Sequence, residues 1–256
     1  MSRVRAYGPA LALVCALVGL WELLVRAFAV PGWLFPAPSA IGSAFARDGG
    51  SLAPQTWVTL REILLGFGIA VAAGLAIAVV LHASAAVRRA LYPILVASQT
   101  VPVVVLAPIL AIAFGYDIGP KLAIVALICF FPVVVNAVDG LRSVDAQFRR
   151  MMLTLDATPW GIFRRVEFPS ALPAIFSGLR VAAAYAAVGA VFGEWSGSTS
   201  GLGYVMLQSA PELDTARIFV AVVILSAISF ALFALVSVAE RVLAPWAREE
   251  GPRAAA

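Results

Sequence analysis

The sequence predicts an all-α, polytopic membrane protein with about six transmembrane helices, and three observations lead there. Hydrophobic residues make up 62% of the 256 and charged residues 12%, whereas soluble domains carry about half apolar and roughly a quarter charged. The apolar residues come in long blocks rather than in amphipathic stripes. Basic residues fall in short clusters between those blocks, which is how loops on the cytoplasmic side of a membrane read.

A crossing needs about 20 predominantly apolar residues, because the hydrocarbon core is roughly 30 Å thick and a helix rises about 1.5 Å per residue. Six stretches meet this: 7–28, 60–81, 92–114, 118–137, 171–192 and 216–238. In lipid each backbone group must be satisfied internally, so these are helices unless the chain is a barrel. Barrel strands alternate apolar and polar residues, and this chain does not. Pro93, Pro102 and Pro108 predict a kinked or interrupted third span, and Pro132 lies inside the fourth. After Arg3 and Arg5 the chain turns apolar with no small-residue cleavage site, and Trp21, Glu22 and Arg26 follow, so a retained first span is expected rather than a cleaved leader.

With the N-terminus in the cytoplasm, the inner segments carry twelve arginines (3, 5, 88, 89, 142, 149, 150, 164, 165, 241, 248 and 253). The outer segments carry five basic residues, namely Arg26, Arg47, Arg61, Lys121 and Arg217. This bias places both termini inside, in a plasma membrane. The sequence divides a single transmembrane domain into a first span with an outer interfacial segment (1–58), a five-span core (59–245) and a flexible tail (246–256). Trp33, Phe35 and Trp57 suggest an interfacial helix between spans one and two. Gly197, Gly201 and Gly203 suggest a turn and a short re-entrant helix after span five.

Several function classes are disfavoured. No contiguous basic face is available to neutralise phosphates, which argues against nucleic acid despite the net charge of +4. Cys15 and Cys129 each sit in an apolar block and read as buried hydrophobes, and His82 is alone, so no metal set is expected. A membrane-embedded enzyme would need a catalytic cluster that one histidine, two separated cysteines and few acids do not supply.

The inner loop at 140–169 is unlike the rest. Phe148, Met151, Met152 and Leu155 recur at helical spacing, Asp156-Ala157 interrupts, and Thr158-Pro159 combines an N-cap residue with proline at the first helical position. A short helix at 159–166 follows, and Pro169 and Pro173 lead into span five through a proline turn. Trp160, Phe163, Arg164 and Arg165 then face out, either as a docking knob for another protein or lying on anionic headgroups.

These residues resemble the cytoplasmic motif of type I ABC-importer permeases. Leu155 to Trp160, Phe163 to Pro173 and Gly178-Leu179-Arg180 carry the likeness, supported by Phe35-Pro36-Ala37-Pro38-Ser39, Phe130-Phe131-Pro132, Glu194-Trp195 and Gly201-Leu202-Gly203. The subfamily it looks most like is the nitrate, sulfonate and taurine type, while Gly193-Glu194-Trp195 resembles the branch serving thiamine-precursor pyrimidines and riboflavin. The chain departs from the family in having Arg150-Met151-Met152 for the usual Glu-Ala-Ala and Asp156 for the usual glycine. That glycine ends a helix in the left-handed conformation, so Asp156 is predicted to have positive φ.

The resemblance implies an ATPase-coupling segment of Asp156, Ala157, Thr158, Pro159, Trp160, Gly161, Phe163, Arg164 and Arg165. It implies as partners two ABC ATPase subunits, an extracytoplasmic substrate-binding protein, a second permease copy (a homodimer is expected) and membrane lipid. ATP-driven closure of the ATPases would draw the coupling helices together and open the path outward. No cofactor is expected on this chain; it has no G-x-x-x-x-G-K-[ST] stretch, and ATP-Mg would be used by the separate ATPase. The competing class is an ion-gradient-driven secondary transporter, which would show inverted repeats and mid-membrane carboxylates.

Other residues read two ways. Gln99 and Thr100 in the proline-broken span either offer freed carbonyls to substrate or satisfy backbone locally. Glu194 either lines a pathway or gate or sits in water at the outer interface. Gly66, Ala70, Gly74 and Ala78, and Gly178, Ala182, Ala186 and Ala190, are expected to serve close packing in the core more than a dimer contact. Arg180 is expected to snorkel inward rather than to pair with an acid. Asn136 and Asp139 either bond into the coupling loop or are simply interfacial.

Overall fold

A computed structural model of the chain describes residues 2–248. Residues 249–256, with Arg253 and most of the predicted tail, lie outside the described residues. The helices in order are α1 (Ser2–Ala27), α2 (Pro38–Ala83), α3 (Ala85–Ser98), α4 (Val103–Phe114), α5 (Ile118–Arg142), α6 (Ala146–Thr154), α7 (Pro159–Ile162), α8 (Phe168–Trp195), α9 (Leu202–Ser209) and α10 (Thr215–Leu243). A π-turn at Phe163–Glu167 joins α7 to α8, and a 3₁₀ turn at Pro245–Arg248 ends the described chain, so the head of the predicted tail is structured.

Among the described residues, four helices are long and apolar enough to cross a membrane, or five if the bent pair α3 and α4 counts as one span. The first predicted stretch, 7–28, is helical in α1 as far as Ala27. The proline-rich third stretch is interrupted as expected: α3 and α4 meet at 95° across 99–102. Pro93 and Pro108 are tolerated inside their helices, while Pro102 becomes the N-cap of α4. The expected separate interfacial helix is instead the beginning of span two. α2 runs 46 residues, about 69 Å at 1.5 Å per residue, far more than a bilayer requires. Pro54 sits within it, since one proline removes a single ladder bond and kinks a helix more readily than it ends one.

The chain divides into two compact units, Met1–Val58 with Thr199–Leu225, and Thr59–Ser198 with Ser226–Ala256. Residues 199–225, which the sequence-based division puts in the core, sort with the N-terminal segment. In that unit the rings of Trp21, Phe35 and Phe219 cluster at centroid distances of 5.2–5.7 Å. The Ser39 amide and hydroxyl donate to Glu22 at 3.0 and 2.8 Å, tying the start of α2 to α1. Gly201, at φ 109°, opens α9, and its amide donates to Gln55 Oε1 at 2.7 Å.

The second unit is organised by α5 against α8. Ala78 and Leu81 of α2, Val134, Ala137, Val138 and Leu141 of α5, and Ala171 and Ile175 of α8 form one buried cluster. Both small-residue stripes are core, as expected: Ala70, Ala78, Ala182, Ala186 and Ala190 are fully buried. A Cβ on Gly66 would lie 2.5 Å from Val125 Cβ, and one on Gly74 would lie 2.8 Å from Val133 Cγ1. Leu64, Leu65, Ile69, Val80, Phe230 and Leu235 remain exposed; in water such an apolar surface would drive association, and in lipid it is the solvated face.

Candidate functional site

The loop between α5 and α8 carries the predicted coupling segment. Asp145 caps α6, its Oδ1 accepting from the Gln147 amide at 2.8 Å. The helix ends in a Schellman motif: the Asp156 amide donates to Leu153 O and the Ala157 amide to Met152 O, both at 3.1 Å. Asp156 occupies the left-handed position with φ 56°, as predicted. Thr158 then caps α7, its Oγ1 accepting from the Gly161 amide at 3.2 Å, with Pro159 in the first turn. Two consecutive caps, one made by the backbone and one by the Thr158 side chain, end α6 and start α7 within three residues.

The expected proline turn before span five is absent. The Phe168 amide reaches back to Phe163 O, closing a π-turn, and helix runs from Pro159 to Trp195 with no break. The pyrrolidine of Pro169 would crowd the carbonyl four residues earlier in a regular helix; a wider turn relieves this without ending the helix. The short helix predicted at 159–166 is therefore α7 plus this turn. Trp160 stacks on Phe163 at 5.4 Å and is 66% exposed. Phe148, Met151, Leu155, Arg164 and Arg165 are exposed too. An apolar, aromatic and basic surface on rigid supports can accept a protein partner.

Asp156 carries a local cost that glycine would not, since an L-residue in the left-handed region is strained by about 1–2 kcal/mol and aspartate by somewhat less. Asp156→Gly is expected to raise the thermal unfolding midpoint in detergent, and Asp156→Val to lower it. Equal midpoints for both would contradict the cap.

A polar cluster that the sequence reading missed joins α2, α5 and α8. Lys121 Nζ donates to Glu62 Oε1 at 3.1 Å and to Ser198 Oγ at 2.7 Å. Thr59 Oγ1 donates to Glu194 Oε1 at 2.6 Å. Thr59, Glu62 and Glu194 are at most 1% exposed. Glu194 is thus not in water at an interface: it is enclosed between helices, where an unpaired carboxylate would be costly.

The remaining candidates separate. Gln99 and Thr100 lie at the α3–α4 bend, exposed, with Thr100 Oγ1 donating to Ala97 O at 2.8 Å and Gln99 Nε2 to Ser98 Oγ at 3.4 Å. Arg180 pairs with Glu240 of α10 rather than only snorkelling, because an acid within reach in an apolar surround outweighs the stretch to water. Asn136 bonds its own helix, Nδ2 to Pro132 O at 2.8 Å, and not the coupling loop, while Asp139 is exposed. Cys129 is buried, its Sγ donating to Ala182 O at 3.3 Å, whereas Cys15 is exposed.

The family described as "Binding-protein-dependent transport system inner membrane component" matches residues 66–249. The chain belongs to it. Among its relatives is the formylaminopyrimidine transport permease protein ThiX of Halalkalibacterium halodurans, 36% identical over 96% of this chain and 98% of that one. The riboflavin transport system permease protein RibX of Chloroflexus aurantiacus is 35% identical over 96% and 93%. The putative aliphatic sulfonates transport permease protein SsuC of Bacillus subtilis is 28% identical over 94% and 89%. A solved structure of the MetNI methionine ABC transporter shares the fold, with a TM-score of 0.59 and 18% identity over 73% of this chain and 95% of its own. The protein is therefore a multi-pass ABC-transporter permease, a class whose partners are an ATPase and a binding protein.

Proposed function

We propose that this permease forms, as a homodimer, the path of an ATP-driven importer for a small heteroaromatic vitamin precursor delivered by an extracytoplasmic binding protein. The observation that carries the ATP-driven reading is the exposed Trp160-Arg164-Arg165 surface, held by the Asp156 and Thr158 caps at the root of α8, with Phe163 half-buried beneath Trp160 rather than facing out as expected. A groove on each ATPase receives this surface. ATP-Mg is bound and hydrolysed there, and this chain performs no catalysis. Both termini face the cytoplasm, in keeping with the twelve basic residues on that side against five on the other. The substrate class rests on the pyrimidine and riboflavin permeases matching at 36% and 35%, against 28% for the sulfonate permease.

The test is co-purification of the permease with its cognate ATPase. Trp160→Ala is expected to weaken the complex about 10- to 30-fold, the cost of an aromatic interface anchor. Trp57→Ala, at a position exposed on another segment, is expected to leave the complex unchanged. Transport that persists without ATP under a proton or sodium gradient would overturn the reading. For the solute, the purified binding protein is screened by thermal shift against pyrimidines, riboflavin, taurine and alkanesulfonates; stabilisation by taurine alone would overturn the heteroaromatic assignment.

A further inference from the structure

We propose that Glu167 is a positioning residue through which the coupling segment moves span two as well as span five, an inference that rests on the docking of an ATPase at residues 156–165. The backbone runs unbroken from Pro159 to Trp195, so a displacement at Trp160 reaches span five directly. Span two has no such link. Its inner end meets the knob through side chains: Phe163 packs on the cluster that contains Ala78 and Leu81, and its ring lies 6.2 Å from that of His82, beside an open pocket of about 370 Å³ lined by Val79, Trp160 and Leu153.

The polar link beside this space is Glu167, 8% exposed. Its Oε2 lies 2.8 Å from His82 Nε2, the last turn of α2, and its Oε1 lies 3.6 Å from Arg149 Nε of α6. A carboxylate only accepts, so the histidine proton sits on Nε2 and donates to it. Charge-assisted bonds of this kind are shorter and about twice as strong as neutral ones. The π-turn supplies the geometry. With its register shifted at Phe163–Glu167, Arg164 and Arg165 are exposed while the Glu167 carboxylate turns inward to His82. One side chain thus joins the end of span two, the first loop helix and the root of span five. The chain's only histidine is at this junction.

The experiment uses the full importer, permease with cognate ATPase in proteoliposomes with its binding protein, and compares wild type with Glu167→Gln, His82→Ala, His82→Gln and Glu167→Gln/His82→Ala. The readouts are solute moved per ATP hydrolysed, ATPase co-purification and thermal stability. In assembled complexes the transport-to-hydrolysis ratio is expected to fall about fivefold or more in Glu167→Gln and in His82→Ala, within the usual range of coupling between sites. The double variant falls no further, and His82→Gln, whose amide can still donate, recovers part of the ratio. An unchanged ratio in complexes that assemble, or loss of both activities only in proportion to complex lost, overturns the inference. A wild-type chain that recruits no ATPase overturns the docking reading as well and is told apart by the co-purification arm.

Discussion

Replacing Lys121 by methionine is expected to destabilise the folded permease by about 3–5 kcal/mol, because it strands buried carboxylate charge without its counter-ion. Lys121 reaches the Glu62 carboxylate at 3.1 Å, and Glu194 accepts from Thr59, one helical turn before Glu62. Neither carboxyl group has water to fall back on, both being at most 1% exposed. Lys121→Met/Glu62→Gln is expected to be more stable than Lys121→Met alone, since the second change removes the charge that the first one strands. That reversal is the signature of coupling and not of lost volume. Equilibrium unfolding in mixed micelles measures it. A Lys121→Met protein within about 0.5 kcal/mol of wild type, the usual scatter for independent surface sites, would mean that the cluster contributes no net electrostatic stability.

The fold was legible wherever one physical requirement acted alone. Span length follows from bilayer thickness, so the apolar blocks at 60–81, 118–137, 171–192 and 216–238 each lie within an observed helix. Prolines announced the break in the third stretch but not its 95° angle, which depends on which of three prolines falls at a helix boundary; only Pro102 does, as the N-cap of α4. The early part of α2 was legible as a helix but not as one continuous with span two. Asp48, Gly49, Gly50 and Pro54 argue against helix locally, and contacts distant in sequence override them, among them Arg47 to Asp214 at 3.3 Å and Gln55 to Gly201 at 2.7 Å.

In the site, local chemistry could be read and long-range pairing could not. The Thr158-Pro159 cap and the positive φ of Asp156 are decided within a few residues, and both are present. The buried cluster was missed because Glu62 follows Arg61 at the edge of a span and resembles an interfacial charge. A usable signal did exist. Glu62, Lys121 and Glu194 each stand at an end of an apolar stretch assigned to the same outer side, and two acids with one base at a common depth in lipid ought to be tested as partners. The Glu167–His82 joint had no such signal, since Glu167 turns inward only through the π-turn that Pro169 imposes.

Gly178→Leu is expected to abolish recovery of folded permease, and Gly178→Ala to cost about 2–3 kcal/mol, at the upper end for overpacking one methyl group. The reason is the closeness of α8 to α5. A Cβ at Gly178 would stand 2.6 Å from the Pro132 carbonyl oxygen and 2.8 Å from Asn136 Cβ. The first of these is backbone, inside a helix that cannot give way without moving its neighbours. Asn136 is also fixed, its amide bonded to the same Pro132 oxygen at 2.8 Å. Separating the helices would then open the interface that holds Ala137, Leu141, Ala171 and Ile175 in the buried cluster, adding a cavity cost to the steric one. Gly68 supplies the control: it too is helical, but a Cβ there meets nothing within 4 Å. Gly68→Ala should therefore be neutral or stabilising by up to about 1 kcal/mol through helix propensity. Monodispersity and unfolding midpoints of the three variants in one detergent decide the matter. Equal behaviour of Gly178→Ala and Gly68→Ala would show that α5 and α8 are not in the contact described, and the small-residue stripe of span five would then have to serve another surface.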